Sequence, residues 1–229
     1  MRVSISLGGS LLTRMPGAKN YLGYANTLRE LKNRGHKIVV VCGGGRPARE
    51  YIGIACEMAA SRQIQDKIGI LATHMNALLL ISALGDDADP RIHRRAGEVQ
   101  RHLDSRILVG GGHMPGSSTD YRTVLFGRAI NADLIVNATD YGGVFDKDPS
   151  RNPDAKKYLC LPYDSLEKII RSRFKQVPGD YGLFDLKALR LAKRHKMPIV
   201  FIDGTDPDEI IRAVEGGHSG TLVSEDTAV

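Results

Sequence analysis

Val3, Ile5 and Leu7 alternate with Ser4 and Ser6, a period of two that predicts a short strand over Arg2–Leu7. Leu22, Ala25, Leu28, Leu31 and Lys32 then recur at helical spacing, predicting a helix over 20–34 that Gly35 stops. The run KIVVVC at 37–42 is continuously apolar and rich in β-branched residues, which suits a central parallel strand. Pro47 opens a helix to residue 60, and a long apolar helix follows over 68–84. Residues 91–102 are polar and read as a peripheral excursion. Further strands are predicted at 106–109, 133–138 and 197–202. Helices are predicted at 119–130, 165–173, 185–195 and 208–215, the first of them capped by Thr119 or Asp120. A polar loop covers 139–154. No internal repeat or flexible linker interrupts the alternation. It predicts an α/β protein, a three-layer α/β/α sandwich around a mostly parallel sheet. Ligands of such sheets bind at the carboxyl ends of the strands.

Composition narrows the partners. The 229 residues fit one large domain or two small lobes sharing a sheet. The net charge of +6 suits either nucleic acid or small anions such as nucleotides. With no Trp and five Phe, aromatic support for nucleic acid is lacking, so none is expected as a partner. The basic clusters lie at 91–101, 171–175 and 190–196. In the last, Arg190, Lys193, Arg194 and Lys196 are spaced like a solvated helix face. Cys42, Cys56 and Cys160 form no C-x-x-C pair, which argues against a disulfide framework or a zinc site, and no resident metal is expected. The opening MRVSISLGGSLL is too short and too glycine-broken for a signal peptide. No uninterrupted apolar run approaches the ~20 residues of a membrane span. The expected setting is the reducing cytoplasm, away from membranes.

Three strands end in glycine turns: Gly8-Gly9-Ser10, Gly43-Gly44-Gly45 and Gly110-Gly111-Gly112. Glycine lets the backbone approach an anion, and successive N–H groups then bind phosphate oxygens. No Walker lysine follows any of them, and no Rossmann spacing is present. Arg46 and Arg49 follow the second turn, at a helix start where a cation opposes the macrodipole unless an anion intervenes. The stretch 116–120, GSSTD, offers hydroxyls and N–H groups for another anion or a sugar, or serves as a plain cap. Asp133 precedes an apolar strand, where a carboxylate could orient donors around a transferred phosphate. Asp148 and His113 sit in loops that could contact ligand or only turn.

In this order, SLGGSLL at 6–12, GGGRPAREYI at 43–52, DKIGILATHMNALLL at 66–80, GGGHMPGSSTD at 110–120, ADLIVNATDYGGVFDKDP at 132–149 and SGTLV at 219–223 resemble the amino acid kinase superfamily, and within it the archaeal type of UMP kinase. The resemblance implies one domain, with an acceptor-binding lobe over about 1–130 and an ATP-binding lobe over about 131–229. It implies transfer of the γ-phosphoryl group of ATP to UMP, in pyrimidine nucleotide biosynthesis, with Mg²⁺ accompanying ATP. Other small-molecule kinases of the same fold, and a nucleotide-binding protein without turnover, are the alternatives. Gly9, Ser10 and Asp133 match catalytic positions. Gly9, Ser10, Gly45, Arg49, Thr139, Phe145 and Asp148 match the ATP side. Gly44, Asp66, His113, Met114, Pro115, Gly116, Ser117, Ser118 and Thr119 match the UMP side. Family members commonly form homohexamers. The sequence departs from the pattern at Ser6, where many members carry lysine, and at Gly142, where an acidic residue is usual. Lys187 is unusual and carries no assigned role, although its charge could make good the missing lysine.

Overall fold

The computed structural model describes residues 1–103, 106–173 and 182–225; Lys175, the end of one expected basic cluster, lies outside the described residues. The elements run β1 (Arg2–Leu7), α1 (Gly9–Leu12), α2 (Lys19–Asn33), β2 (Lys37–Cys42), α3 (Gly45–Glu57), α4 (Arg62–Leu84), β3 (Ala88–His93), α5 (Ala96–His102) and β4 (Ile107–Gly110). They continue with α6 (Thr119–Ala129), β5 (Leu134–Thr139), β6 (Cys160–Pro162), α7 (Tyr163–Arg173), α8 (Leu186–Arg194), β7 (Ile199–Asp203), α9 (Asp208–Glu215) and β8 (Thr221–Ser224). One eight-stranded sheet has the order β3-β4-β2-β1-β5-β7-β8-β6, parallel except for β7 against β8. The predicted architecture stands.

Burial explains the layers. Val3, Ile5 and Leu7 of β1 join Ile38, Val40 and Cys42 of β2 in a core closed by α2, α4 and α9. A fully buried Leu or Ile contributes roughly 1.5–3 kcal/mol, so this face holds the central strands firmly. The opposite face packs Ile135, Ile199 and Phe201 against α7 and α8, and Val39, Val41 and Leu108 against Phe126 of α6. The serines of β1 therefore do not face solvent. Ser4 is fully buried and donates to the Thr123 carbonyl (2.8 Å), and Ser6 is 4% exposed.

Three local expectations are corrected. Residues 91–102 contribute an edge strand and α5 rather than an excursion, with Val99 buried. The cap of α6 is Ser118, whose hydroxyl accepts from the Tyr121 N–H, and neither Thr119 nor Asp120. The stretch Arg62–Asp87 is long and apolar enough to cross a membrane by length and composition, although polar residues interrupt it. Its Ala72, Ala77, Leu80 and Leu84 instead pack into the domain core. Asn76, in the same helix, is held by polar bonds to the backbone of the second glycine turn.

Candidate functional site

Parallel strands bring the ends of β1, β2, β4 and β5 to one edge of the sheet. The first two glycine turns meet there, backbone against backbone. A Cβ on Gly9 would lie 2.1 Å from the Gly45 nitrogen and 2.6 Å from the Gly43 carbonyl carbon. Gly45 has φ +66°, the left-handed region that favours glycine. From α4, the Asn76 amide donates to the Gly43 (2.7 Å) and Gly44 (3.2 Å) carbonyls, and Tyr21 donates to Asn76 (2.9 Å). The carbonyls of the second turn are thus tied back. Of the first N–H groups of α3, which have no intrahelical partner, that of Arg46 donates to the Thr13 hydroxyl (3.2 Å), and Pro47 has none.

The third turn differs. The Gly112 N–H donates to the Thr73 hydroxyl (2.7 Å), and His74 Nε2 donates to the Gly112 carbonyl (2.7 Å). Gly110–Gly112 is glycine because α4 and Phe126 press on it: Cβ atoms on Gly110 and Gly111 would meet Phe126 and Thr73 at 2.7 Å. This turn fixes the start of the 113–119 loop, and its Gly112 N–H is not available to an anion.

A cavity of about 320 Å³ opens at this edge, lined by Gly44, Gly45, Arg49 and Asp66, by Met114 and Gly116–Asp120, and by Thr139. The carboxylate of Asp66 accepts the Gly116 N–H (2.9 Å), which draws the loop onto α4. Arg49 is exposed and makes no ion pair among the described residues, whereas Arg46 faces Glu50 at 3.3 Å. Arg49 and Gly45, expected on the ATP side, share this cavity with the acceptor-side residues. His113 and Pro115 do not line it; nor do Ser10 and Gly9, the latter packed against Gly45.

A second cavity of about 220 Å³ lies beyond Leu183, which borders both. Phe145, Asp148 and Tyr141 line it. Asp148 accepts from the Ser150 N–H and hydroxyl, which holds its carboxyl below the ordinary range. Gly142 has φ +69°, and the Asp203 side chain lies 3.5–3.9 Å from where its Cβ would be. A carboxylate from β7 therefore occupies the neighbourhood that an acidic residue at 142 would have served.

Asp133 is not at the site. It stands at the opposite edge, where its carboxylate accepts the Arg2 N–H (2.7 Å) and its own N–H donates to the Arg2 carbonyl (2.8 Å). The six residues of β5, at ~3.3 Å each, put roughly 20 Å between it and the cavity. Asp133→Ala is expected to cost about 1 kcal/mol of stability, read by denaturant unfolding, and to leave turnover within about twofold.

Besides Asp66, the edge carries two acidic residues to which the sequence analysis assigns no catalytic or binding role. Asp120, in the first turn of α6, lines the cavity and accepts from the Ser6 hydroxyl (3.0 Å). Burial, reinforced by Asp185, lifts its carboxyl to about 6, although the Ser6 bond opposes the rise. Asp185, 2% exposed, caps α8 by accepting from the Lys187 N–H (2.6 Å) and also accepts from the Ser118 hydroxyl. The signal for Asp120 is its place at the end of the GSSTD stretch, which suits an anion, a sugar or a plain cap.

Interlocked glycine turns and two cavities that share Leu183 define an α/β protein of the mostly parallel, ligand-binding class. The chain belongs to the amino acid kinase family, whose model matches residues 1–203. It is 38% identical over 227 residues to the uridylate kinase of Methanocaldococcus jannaschii, covering 97% of this chain and 99% of that one. It is 37% identical over 228 residues to the uridylate kinase of Methanothermobacter thermautotrophicus, covering 98% and 100%. The crystal structure of uridylate kinase from Archaeoglobus fulgidus superposes with a TM-score of 0.86 at 35% identity, covering 98% of this chain and 100% of that one. The structure of UMP kinase from Bacillus anthracis does so with 0.85 at 27% identity, covering 100% and 97%.

Proposed function

We propose that this chain is a uridylate kinase that moves the γ-phosphoryl group of ATP to UMP, giving ADP and UDP in the cytoplasm. The carrying observation is the pair of cavities that share Leu183, the larger of them lined by Gly44, Gly45 and Arg49. The larger falls within the range of small-molecule sites. UMP occupies the first cavity, with its ribose toward Asp66 and its phosphate toward Arg49 and the N-terminus of α3. A planar guanidinium grips phosphate in a fork, and the helix end adds N–H groups. ATP places its base near Phe145 and its phosphates toward the glycine turns.

A UMP phosphate oxygen attacks the γ-phosphorus in line as the bond to the departing ADP oxygen breaks. The acceptor phosphate is already ionised, so no strong general base is needed. Positioning and charge neutralisation supply the acceleration. Mg²⁺ enters with ATP as part of the substrate, because it keeps several waters and binds through phosphate oxygens.

Mg-ATP offered with UMP, CMP, dTMP and carboxylate acceptors tests this reading. UMP is expected to be the preferred acceptor, and no turnover of any nucleoside monophosphate would sink the proposal. Asp66→Asn is expected to raise the KM for UMP about tenfold with kcat nearly unchanged, because the amide oxygen still accepts the Gly116 N–H.

The assembly is inferred to be a homo-oligomer, with the hexamer as the expected state. Ile64, Leu71, Met75 and Leu78 of α4 are exposed at the spacing of a helical seam, as are Ile54 of α3 and Met58 just after it. An apolar stripe of this length marks an interaction surface. Light scattering on the purified chain reads the state, and a monomer at working concentration would overturn this inference.

A further inference from the structure

Beneath the cavity, on the sheet face covered by α6 and α8, lies a group of oxygen-bearing side chains. Ser6 and Asn137 stand opposite each other in the register of β1 and β5, so their side chains leave the same face of the sheet. The Ser6 hydroxyl reaches Asp120 on the cavity wall. Asp185 approaches from the other side, through its backbone N–H and its negative charge. Asn137 is 1% exposed, and neither its amide oxygen nor its amide nitrogen has a partner among the described residues. An unpaired buried amide costs about 1–3 kcal/mol, so something is expected to meet it.

Charge points the same way. Two carboxylates stand close together, and no lysine or arginine makes an ion pair with either among the described residues. Lys187 comes nearest in sequence, but its side chain is exposed, on the outward stripe with Arg190 and Arg194. In the kinase reading, the wall carrying Asp120 must also face a polyanionic phosphate chain. An uncompensated carboxylate there would repel the substrate.

We propose that a monovalent cation of the potassium or ammonium class binds among Ser6, Asp120 and Asn137, supplying the positive charge that no side chain among the described residues brings. The donors are one carboxylate and neutral oxygens, which suits a single charge. Mg²⁺ fits less well, because it dehydrates reluctantly and the space beside Ser6 and Asn137 is closed to its water shell. The cation enters from the cavity, past Asp120. Its first consequence is for stability, and only its second depends on the kinase reading.

The test is the melting temperature of the nucleotide-free protein, with EDTA present, in potassium, sodium, ammonium or tetramethylammonium chloride at equal ionic strength. Potassium or ammonium is expected to raise Tm by about 3 °C over tetramethylammonium, saturably in the millimolar range. Asn137→Leu removes an oxygen donor and is expected to erase that difference. Ser6→Lys places an ammonium beside Asp120 and is expected to erase it as well. Initial rates with Mg-ATP and UMP are expected to rise at least about threefold over the same potassium range in the wild-type protein. Equal melting temperatures in all four salts would overturn the proposal, the amide then meeting only ordered water. So would a shift produced by Mg²⁺ alone. So would loss of turnover in Lys187→Ala together with indifference to salt, which would make Lys187 the missing cation. A cation-dependent Tm without UMP turnover would retain the site and remove the kinase reading.

Discussion

Gly9→Ala is expected to lower turnover about 100-fold in a chain that still folds to the native sheet. The added methyl would fall 2.1 Å from the Gly45 nitrogen and 2.7 Å from the Gly43 oxygen. Both are backbone atoms, so no rotamer change relieves the clash. The two turns must separate by an ångström or more, and Arg49 and the N–H groups of α3 move with the second one. A 1 Å misplacement of positioning groups costs about 100-fold in rate. The overpacking itself costs about 1–3 kcal/mol. Circular dichroism and denaturant unfolding measure the stability loss, and steady-state kinetics with Mg-ATP and UMP measure the activity. Gly97→Ala is the control, because nothing lies within 4 Å of its Cβ position and it sits inside α5. That variant is expected to match or exceed the native stability, by up to about 1 kcal/mol, with activity unchanged. Native rates in Gly9→Ala would mean that the interlock does not set the site.

Asp120→Asn is expected to trade activity for stability. The ordinary carboxyl value is 3.8, and burial lifts Asp120 to about 6. The folded chain therefore binds this proton more tightly than the unfolded chain does. Between about pH 4 and pH 6 the native state holds more protons, and stability falls as pH rises. The full shift corresponds to at most about 3 kcal/mol. Asparagine keeps the shape and the acceptor for Ser6 but carries no charge. In tetramethylammonium buffer at pH 7 its Tm is expected to exceed the native value, and the decline of stability over pH 4–6 is expected to flatten. Its kcat is expected to fall at least about threefold, because the cation proposed beside the phosphate edge loses its carboxylate. Thermal unfolding across pH and steady-state kinetics check the two halves separately. A variant that loses both stability and activity would mark Asp120 as a structural cap.

The contrast between Asp120 and Asp133 shows how far one-dimensional reading reaches. Both are acidic residues beside an element predicted correctly. Asp133 was chosen because it adjoins an apolar strand, yet a strand has two ends and only its carboxyl end reaches the site. Asp120 looked like a helix cap, and Ser118 does that work instead. The third glycine turn makes the same point. Its composition equals that of the other two, but Thr73, from a helix 39 residues earlier, has taken the Gly112 N–H. The apolar stretch of α4 hides two surfaces at once, one packed in the core and one exposed, and hydropathy alone does not separate them.

Periodicity and turn chemistry are local. Alternation over six residues, helical spacing over fifteen and glycine after a strand determined most of the elements, the layered class and the edge where ligands bind. The motif order carried the family resemblance. Which groups meet at that edge depended on strand order, since β1 lies between β2 and β5, which begin 97 residues apart. Only that arrangement sets Gly9 against Gly45, Ser6 beside Asn137, and Asp120 near Asp185. Burial and charge coupling arise between residues distant in the chain, so these pairings, and the chemistry they permit, were decided by the tertiary structure.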